Sequence, residues 1–172
     1  IQLRVKNKSF DEWLQIAKNI KAICDRYNSV LIINDSVEIC KAVDADGVHL
    51  GKNDISILEA RKILGNNKII GGTANTIEDV MQLENDGANY IGLGPYKFTE
   101  TKKNLNTILG INGYSIIQQL NNSTIPIIAI GGIQVEDVKP LINTGVYGVA
   151  VSSAINLSEN KEAAIKSFID LV

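Results

Sequence analysis

The stretch Gly94-Pro95-Tyr96-Lys97-Phe98-Thr99-Glu100-Thr101-Lys102-Lys103 carries residue types that suit the binding of a phosphate. Between Thr99 and Lys103, two hydroxyls and two ammonium groups stand close enough in sequence to meet one anion by hydrogen bonds and by charge. The same composition also serves a plain solvated loop, so the weight falls on other positions of similar chemistry. Gln2, Arg4 and Lys6 alternate along an apolar run, which points an amide, a guanidinium and an ammonium to one side of a strand. Charges on the inner side of a sheet need anionic company, whether a ligand or an internal salt bridge. Asn34-Asp35 and Gly51-Lys52-Asn53-Asp54 place two carboxylates after neighbouring apolar runs. Hard oxygen ligands of this kind, with phosphate oxygens and water, suit magnesium. Asp54 reads equally well as a helix N-cap.

These residues share a context: each follows a short apolar run. Strands are expected at Ile1-Val5, Val30-Ile33, Gly47-Leu50, Lys68-Gly71, Tyr90-Leu93, Ile125-Ile130 and Tyr147-Val151. Between the first two, Phe10, Trp13, Leu14, Ala17, Ile20, Cys24 and Tyr27 form a stripe at helical spacing, opened by the capping box Ser9-x-x-Glu12. Further helices are expected from Asp54 through Ile55, Leu58 and Ile63 to Gly65, from Thr76-x-x-Asp79 to Gly87, over Gln134-Asn143 and over Ser158-Leu171. Strand, polar loop and crossover helix in repetition imply a parallel sheet covered by helices. Gly71-Gly72-Thr73, Gly131-Gly132-Ile133 and Ser152-Ser153-Ala154 add close-approach glycines, hydroxyls and backbone amides at strand ends, the usual phosphate cup of a (β/α)8 TIM barrel. No G-x-G-x-x-G follows the early strands, which disfavours an open dinucleotide-binding sheet. The expected fold is therefore an α/β barrel forming a single domain over residues 1–172. Seven strands leave it one short, and a further N-terminal strand and helix are expected to precede Ile1.

Composition bounds the partners. With 172 residues, 45% hydrophobic, and a formal net charge of −2, the chain can bury a sizeable core and is not a general nucleic-acid binder. No run approaches membrane-spanning length, and Cys24 and Cys40 have no metal-ligand spacing, so a cytoplasmic protein with reduced core thiols is expected. The one histidine, His49, lies within a strand and reads as structural, and triad chemistry has no partners. The composition sets no oligomeric state.

The ordered set Gln2-x-Arg4-x-Lys6, Asn34-Asp35, G-V-H-L-G-x-x-D over residues 47–54, G-P-x-x-x-T-x-T-K over 94–102, Gly131-Gly132-Ile133 and S-S-A-I over 152–155 resembles the thiamine phosphate synthase family along the whole chain. The resemblance implies a (β/α)8 barrel transferase of thiamine biosynthesis, which condenses hydroxymethylpyrimidine diphosphate with hydroxyethylthiazole phosphate and releases diphosphate. It implies that Gln2, Arg4, Lys6, Asn34, Thr73 and Lys102 hold the pyrimidine diphosphate, with Arg4, Lys6 and Lys102 catalytic. Asp35 and Asp54 match the magnesium ligands, and Thr99, Thr101, Gly132, Ser152 and Ser153 match the thiazole phosphate site. Thr73 stands where serine is frequent and keeps the hydroxyl; Ser36 stands where arginine is frequent, and Ser152 where an apolar residue is. Two rivals share the fold: a thiazole tautomerase, which moves a proton without metal, and a non-catalytic phosphate-binding barrel. The paired carboxylates with Asn34, Thr101 and Lys102 favour the synthase.

Overall fold

A computed structural model of the chain describes residues 1–99, 107–121 and 124–171. The expected Thr101 and Lys102 lie outside them. The contacts of the backbone group the chain into two compact units, Ile1–Gly72 with Asp86–Asn89, and Thr73–Asn85 with Tyr90–Val172.

In the first unit, β1 (Gln2–Leu3), β2 (Ile32–Asn34), β3 (Gly47–Leu50) and the start of β4 (Ile69–Ala74) pair in chain order, all parallel. Helices α1 (Phe10–Arg26), α2 (Val37–Ala42) and α3 (Ile57–Leu64) make the crossovers. Strands β2 and β3 are buried at every residue, as a parallel sheet covered on its faces requires. Leu31, Ile33, Val48 and Ile70 are fully enclosed with Val37, Ile39 and Ala60 from the helices. Gly47 is needed where β3 meets β4, because a Cβ there would lie 2.1 Å from the Ile69 carbonyl oxygen. Arg61 braces the turn after α3, donating to the carbonyls of Gly65 and Lys68 and, at 2.7 Å, to Asn89 Oδ1, which in turn accepts from the Ile70 amide.

The second unit contains α4 (Ile77–Asn85), β5 (Tyr90–Leu93), α5 (Gly110–Leu120), β6 (Ile127–Ile130), a 3₁₀ turn (Val135–Asp137) leading into α6 (Val138–Ile142), β7 (Gly148–Ala150), α7 (Ser153–Asn156) and α8 (Lys161–Ile169). Here β5, β6 and β7 pair parallel in chain order. Its core joins Ile91, Leu93, Ile127 and Ala129 of the strands to Val80, Tyr114, Ile117 and Leu141 of the helices.

The described architecture is α/β with parallel strands, seven among the described residues. Several local expectations shift. β1 ends at Leu3 rather than Val5, and Gln2, Arg4 and Lys6 are all exposed, not turned to an interior. Past Leu3 the chain makes no further ladder, so the alternation that would aim Arg4 and Lys6 inward has no strand to act on. Asp54 is not a cap: Ser56 caps α3 and forms the box with Glu59, leaving Leu58 and Ile63 exposed and Ile57 and Ala60 buried. The box at Ser9 and Glu12 stands as read, as does the reciprocal pair Thr76 and Asp79. Helix α2, capped by Ser36, and helix α5 were not foreseen. Among the described residues no helix is long and apolar enough to cross a membrane.

Candidate active site

In the first unit, β2 delivers a buried amide at Asn34 and then turns sharply at Asp35, whose φ of 69° is left-handed. Aspartate tolerates that region better than most residues. The Asp35 amide donates to the His49 carbonyl at 2.8 Å, so the turn stays registered on β3 while its side chain is aimed by the backbone. Asp35 accepts from Lys6 Nζ in an ion pair whose side chains are 25% and 49% exposed. One strand over, Gly51 opens the turn after β3, and its amide donates to Asp54 Oδ2 at 2.7 Å.

The Asp54 carboxyl is held above the usual carboxylate range. Burial is the largest cause, and the charge of Asp35 and a hydrogen bond shared with it add to the rise; the Gly51 amide and Lys6 oppose it. Two carboxyls that repel one another across neighbouring strand ends, with an ammonium on one of them, form a site suited to a proton or a cation. Among the described residues no cluster of three or more histidine, cysteine, aspartate or glutamate side chains gathers. The donor set of this site is a pair of carboxylates, of the kind that magnesium takes when phosphate oxygens and water complete its shell.

In the second unit, Gly94 lies flat on β6; a Cβ there would stand 2.3 Å from the Ile130 oxygen. The peptide Gly94-Pro95 is cis, and the chain beyond it is hydrogen-bonded to the end of β6 and the loop that follows: Tyr96 N donates to Ile130 O and Lys97 N to Gly131 O. Gly131 and Gly132 both have positive φ, 90° and 71°. A Cβ on Gly132 would fall 2.5 Å from Phe98 O, so only glycine lets the two loops touch. Thr99, half-buried, is the next residue after this contact. The same loop is closed from its far side, with Leu109 N donating to Pro95 O at 2.9 Å and Gly110 N to Tyr96 O at 3.1 Å.

Thr73 is half-buried and partnered near the end of β4. Ser152 and Ser153 follow β7, where Ser152 is exposed, Ser153 is half-buried and Ser152 Oγ accepts from Asn156 Nδ2 at 3.3 Å. Thus Lys6, Asp35 and Asp54 are brought together in one unit, and Thr99 and Gly132 lie on adjoining loops in the other; Gln2 and Arg4 stand exposed. One residue near the second group escaped the sequence reading. Asp137 is buried, accepts from Lys97 Nζ at 2.7 Å and from Tyr96 Oη at 3.4 Å, and caps its own turn through Gln134 N at 3.0 Å. The spacing Gln134-x-x-Asp137 hinted at the cap, but nothing in sequence tied it to Lys97, which lies 40 residues away.

Parallel strands with polar and glycine-rich loops at their carboxyl ends are the arrangement on which α/β proteins commonly hold phosphorylated small molecules at the strand tips. The family model for thiamine monophosphate synthase matches residues 1–155. A thiamine-phosphate synthase of Flavobacterium psychrophilum is 52% identical over 163 residues, covering 93% of this chain and 79% of that protein. The enzyme of the same name from Flavobacterium johnsoniae is 47% identical, covering 96% and 80%. Among solved structures, a thiamine phosphate pyrophosphorylase from Pyrococcus furiosus superposes with a TM-score of 0.89 at 33% identity, over 99% of this chain and 81% of that one. The chain belongs to the thiamine monophosphate synthase family, whose members are transferases.

Proposed function

We propose that the protein is a cytoplasmic enzyme with the (β/α)8 barrel fold that joins hydroxymethylpyrimidine diphosphate to the ring nitrogen of hydroxyethylthiazole phosphate. The carbon–oxygen bond to diphosphate breaks with its electron pair leaving on the diphosphate, and the thiazole nitrogen supplies the pair for the new carbon–nitrogen bond. The products are thiamine phosphate and diphosphate. The observation that carries the reading is the juxtaposition of Asp35, Asp54 and Lys6, together with family membership. An electron-rich pyrimidine favours a dissociative course, so the protein's task is to hold the departing oxygens and stabilise their charge rather than to supply a nucleophile.

Asp35 and Asp54 would hold magnesium, which when bound neutralises charge on the leaving diphosphate. Lys6, already oriented by Asp35, would donate to the diphosphate. Arg4 and Lys102 would add positive charge, while Gln2, Asn34 and Thr73 would fix the pyrimidine substrate. Thr99, Thr101, Gly132, Ser152 and Ser153 would meet the thiazole phosphate, the glycine through its backbone. Free, buried thiols at Cys24 and Cys40 suit a reducing compartment. The test is diphosphate release from the paired substrates with magnesium. Loss of release on chelation is expected. Metal-independent turnover of thiazole phosphate alone, with no diphosphate formed from the pair, would assign a tautomerase instead.

A further inference from the structure

Among the described residues of the second unit, Asp137 is the carboxylate whose side chain is almost wholly enclosed, at 8% exposure, while it holds an ammonium. Its two oxygens divide their partners: Oδ1 takes Lys97 Nζ and the Tyr96 hydroxyl from the loop after β5, and Oδ2 takes the Gln134 amide from the loop after β6. Lys97 Nζ also stands 5.3 Å from the centre of the Tyr96 ring, and Tyr96 packs edge-on against Tyr114 at 5.9 Å. Tyr114 donates to the Leu93 carbonyl and accepts from the Ile130 amide, joining the last residues of β5 and β6. A buried charge is costly to place and has to be offset by strong, well-directed partners. Here those partners come from the two loops that carry Thr99 and Gly132.

We propose that Asp137 and Lys97 are positioning residues for the thiazole phosphate: their ion pair fixes the Gly94–Thr99 loop against Gly131–Gln134, so that the Thr99 hydroxyl and the Gly132 backbone keep one separation. Neither side chain touches substrate. The proposal rests on the reading above that Thr99 and Gly132 bind that phosphate. Backbone hydrogen bonds at Tyr96 and Lys97 set the loop's path, and the ion pair adds a side-chain tether at the residue just before the Phe98 carbonyl meets Gly132. Releasing the tether lets Thr99 sample positions in which the phosphate meets only some of its donors. Binding of thiazole phosphate then weakens, while the pyrimidine diphosphate, held chiefly by Gln2, Arg4, Lys6 and Asn34 of the first unit in the reading above, changes much less.

The experiment is steady-state kinetics with both substrates and magnesium on the unsubstituted protein, Lys97→Met, Lys97→Arg and Asp137→Asn, with thermal unfolding of each. For Lys97→Met, KM for thiazole phosphate should rise on the order of 10-fold, as expected when a loop is left unanchored. KM for pyrimidine diphosphate should stay within about twofold. Lys97→Arg should recover most of the loss, because a guanidinium can still reach the carboxylate. Asp137→Asn should show the same split if it folds; Lys97, half-exposed, can be replaced without that risk. A Lys97→Met protein with both KM values unchanged, with both raised alike, or without rescue by arginine overturns the positioning role. Those outcomes in an active parent enzyme leave the proposed reaction standing, whereas a parent that releases no diphosphate fails the reaction itself.

Discussion

Replacing Asp35 by asparagine separates the cost of a lost carboxylate from the cost of a damaged fold. Asp35 sits at φ 69°, a region that asparagine enters as readily as aspartate, so the backbone has no reason to move. Its ion pair with Lys6 is open to solvent on both sides, and such pairs contribute about 0–1 kcal/mol. Asp35→Asn should therefore lower folding stability by less than about 1 kcal/mol. Its effect on a bound cation is larger. Unit charges in near contact at a surface dielectric of about 20 interact by about 4 kcal/mol, and solvent at a quarter-exposed carboxylate reduces this to about 2 kcal/mol. At 1.4 kcal/mol per factor of ten, half-saturating magnesium should rise about 30-fold. Magnesium titrations of diphosphate release, beside urea unfolding and thiazole phosphate binding by calorimetry, measure all three quantities. An unchanged magnesium requirement would refute the assignment of Asp35 as a ligand; a stability loss of several kcal/mol would show that the carboxylate serves the fold.

Asp54 makes the opposite trade. Its raised carboxyl means that the folded state holds the proton more tightly than the unfolded chain, so the associated stability is present below the ordinary carboxylate range and is lost as pH rises through the folded value. Asp54→Asn keeps an acceptor for the Gly51 amide and removes the buried charge, so urea midpoints should match or exceed the parent at neutral pH while metal-dependent turnover falls; a lower midpoint would show a net stabilising carboxylate. Tyr114→Phe removes the donor to Leu93 O and the acceptor for Ile130 N, and should cost about 1–3 kcal/mol by urea unfolding, an effect under about 0.5 kcal/mol counting against the hydroxyl bridge. Gly132→Ala meets both a left-handed backbone, about 1–2 kcal/mol, and a clash with Phe98 O worth about 1–3 kcal/mol more, whereas Gly87→Ala, at φ 82° in open space, meets only the first. Equal losses in the two variants would mean that the loop yields to the added methyl at no cost.

The sequence made the parallel α/β arrangement legible because long apolar runs of valine, isoleucine and leucine recur between helical stripes, and β3 and β5 fall at Gly47–Leu50 and Tyr90–Leu93 as read. The boundaries that moved were those decided by hydrogen bonding rather than by hydrophobicity. β1 loses its last two residues because the apolar pattern says nothing about whether a neighbouring strand extends far enough to pair. At α3, Asp54 and Ser56 are both good caps, and only the fold shows that the Asp54 carboxylate turns back to Gly51. The carboxylates themselves were visible as Asn34-Asp35 and Gly51-x-x-Asp54, and their approach to each other follows from parallel strands in sequential order. The Lys97–Asp137 tether was not visible, because a pair distant in sequence leaves no local period.

Helix α5 begins where the loop after β5 is fastened, with Pro95 and Tyr96 receiving hydrogen bonds from Leu109 and Gly110. Leu109 and Gly110 are thus placed by the residues that directly follow β5. The clasp therefore sets the register of α5 directly from the end of β5, through two backbone hydrogen bonds rather than through the chain between them.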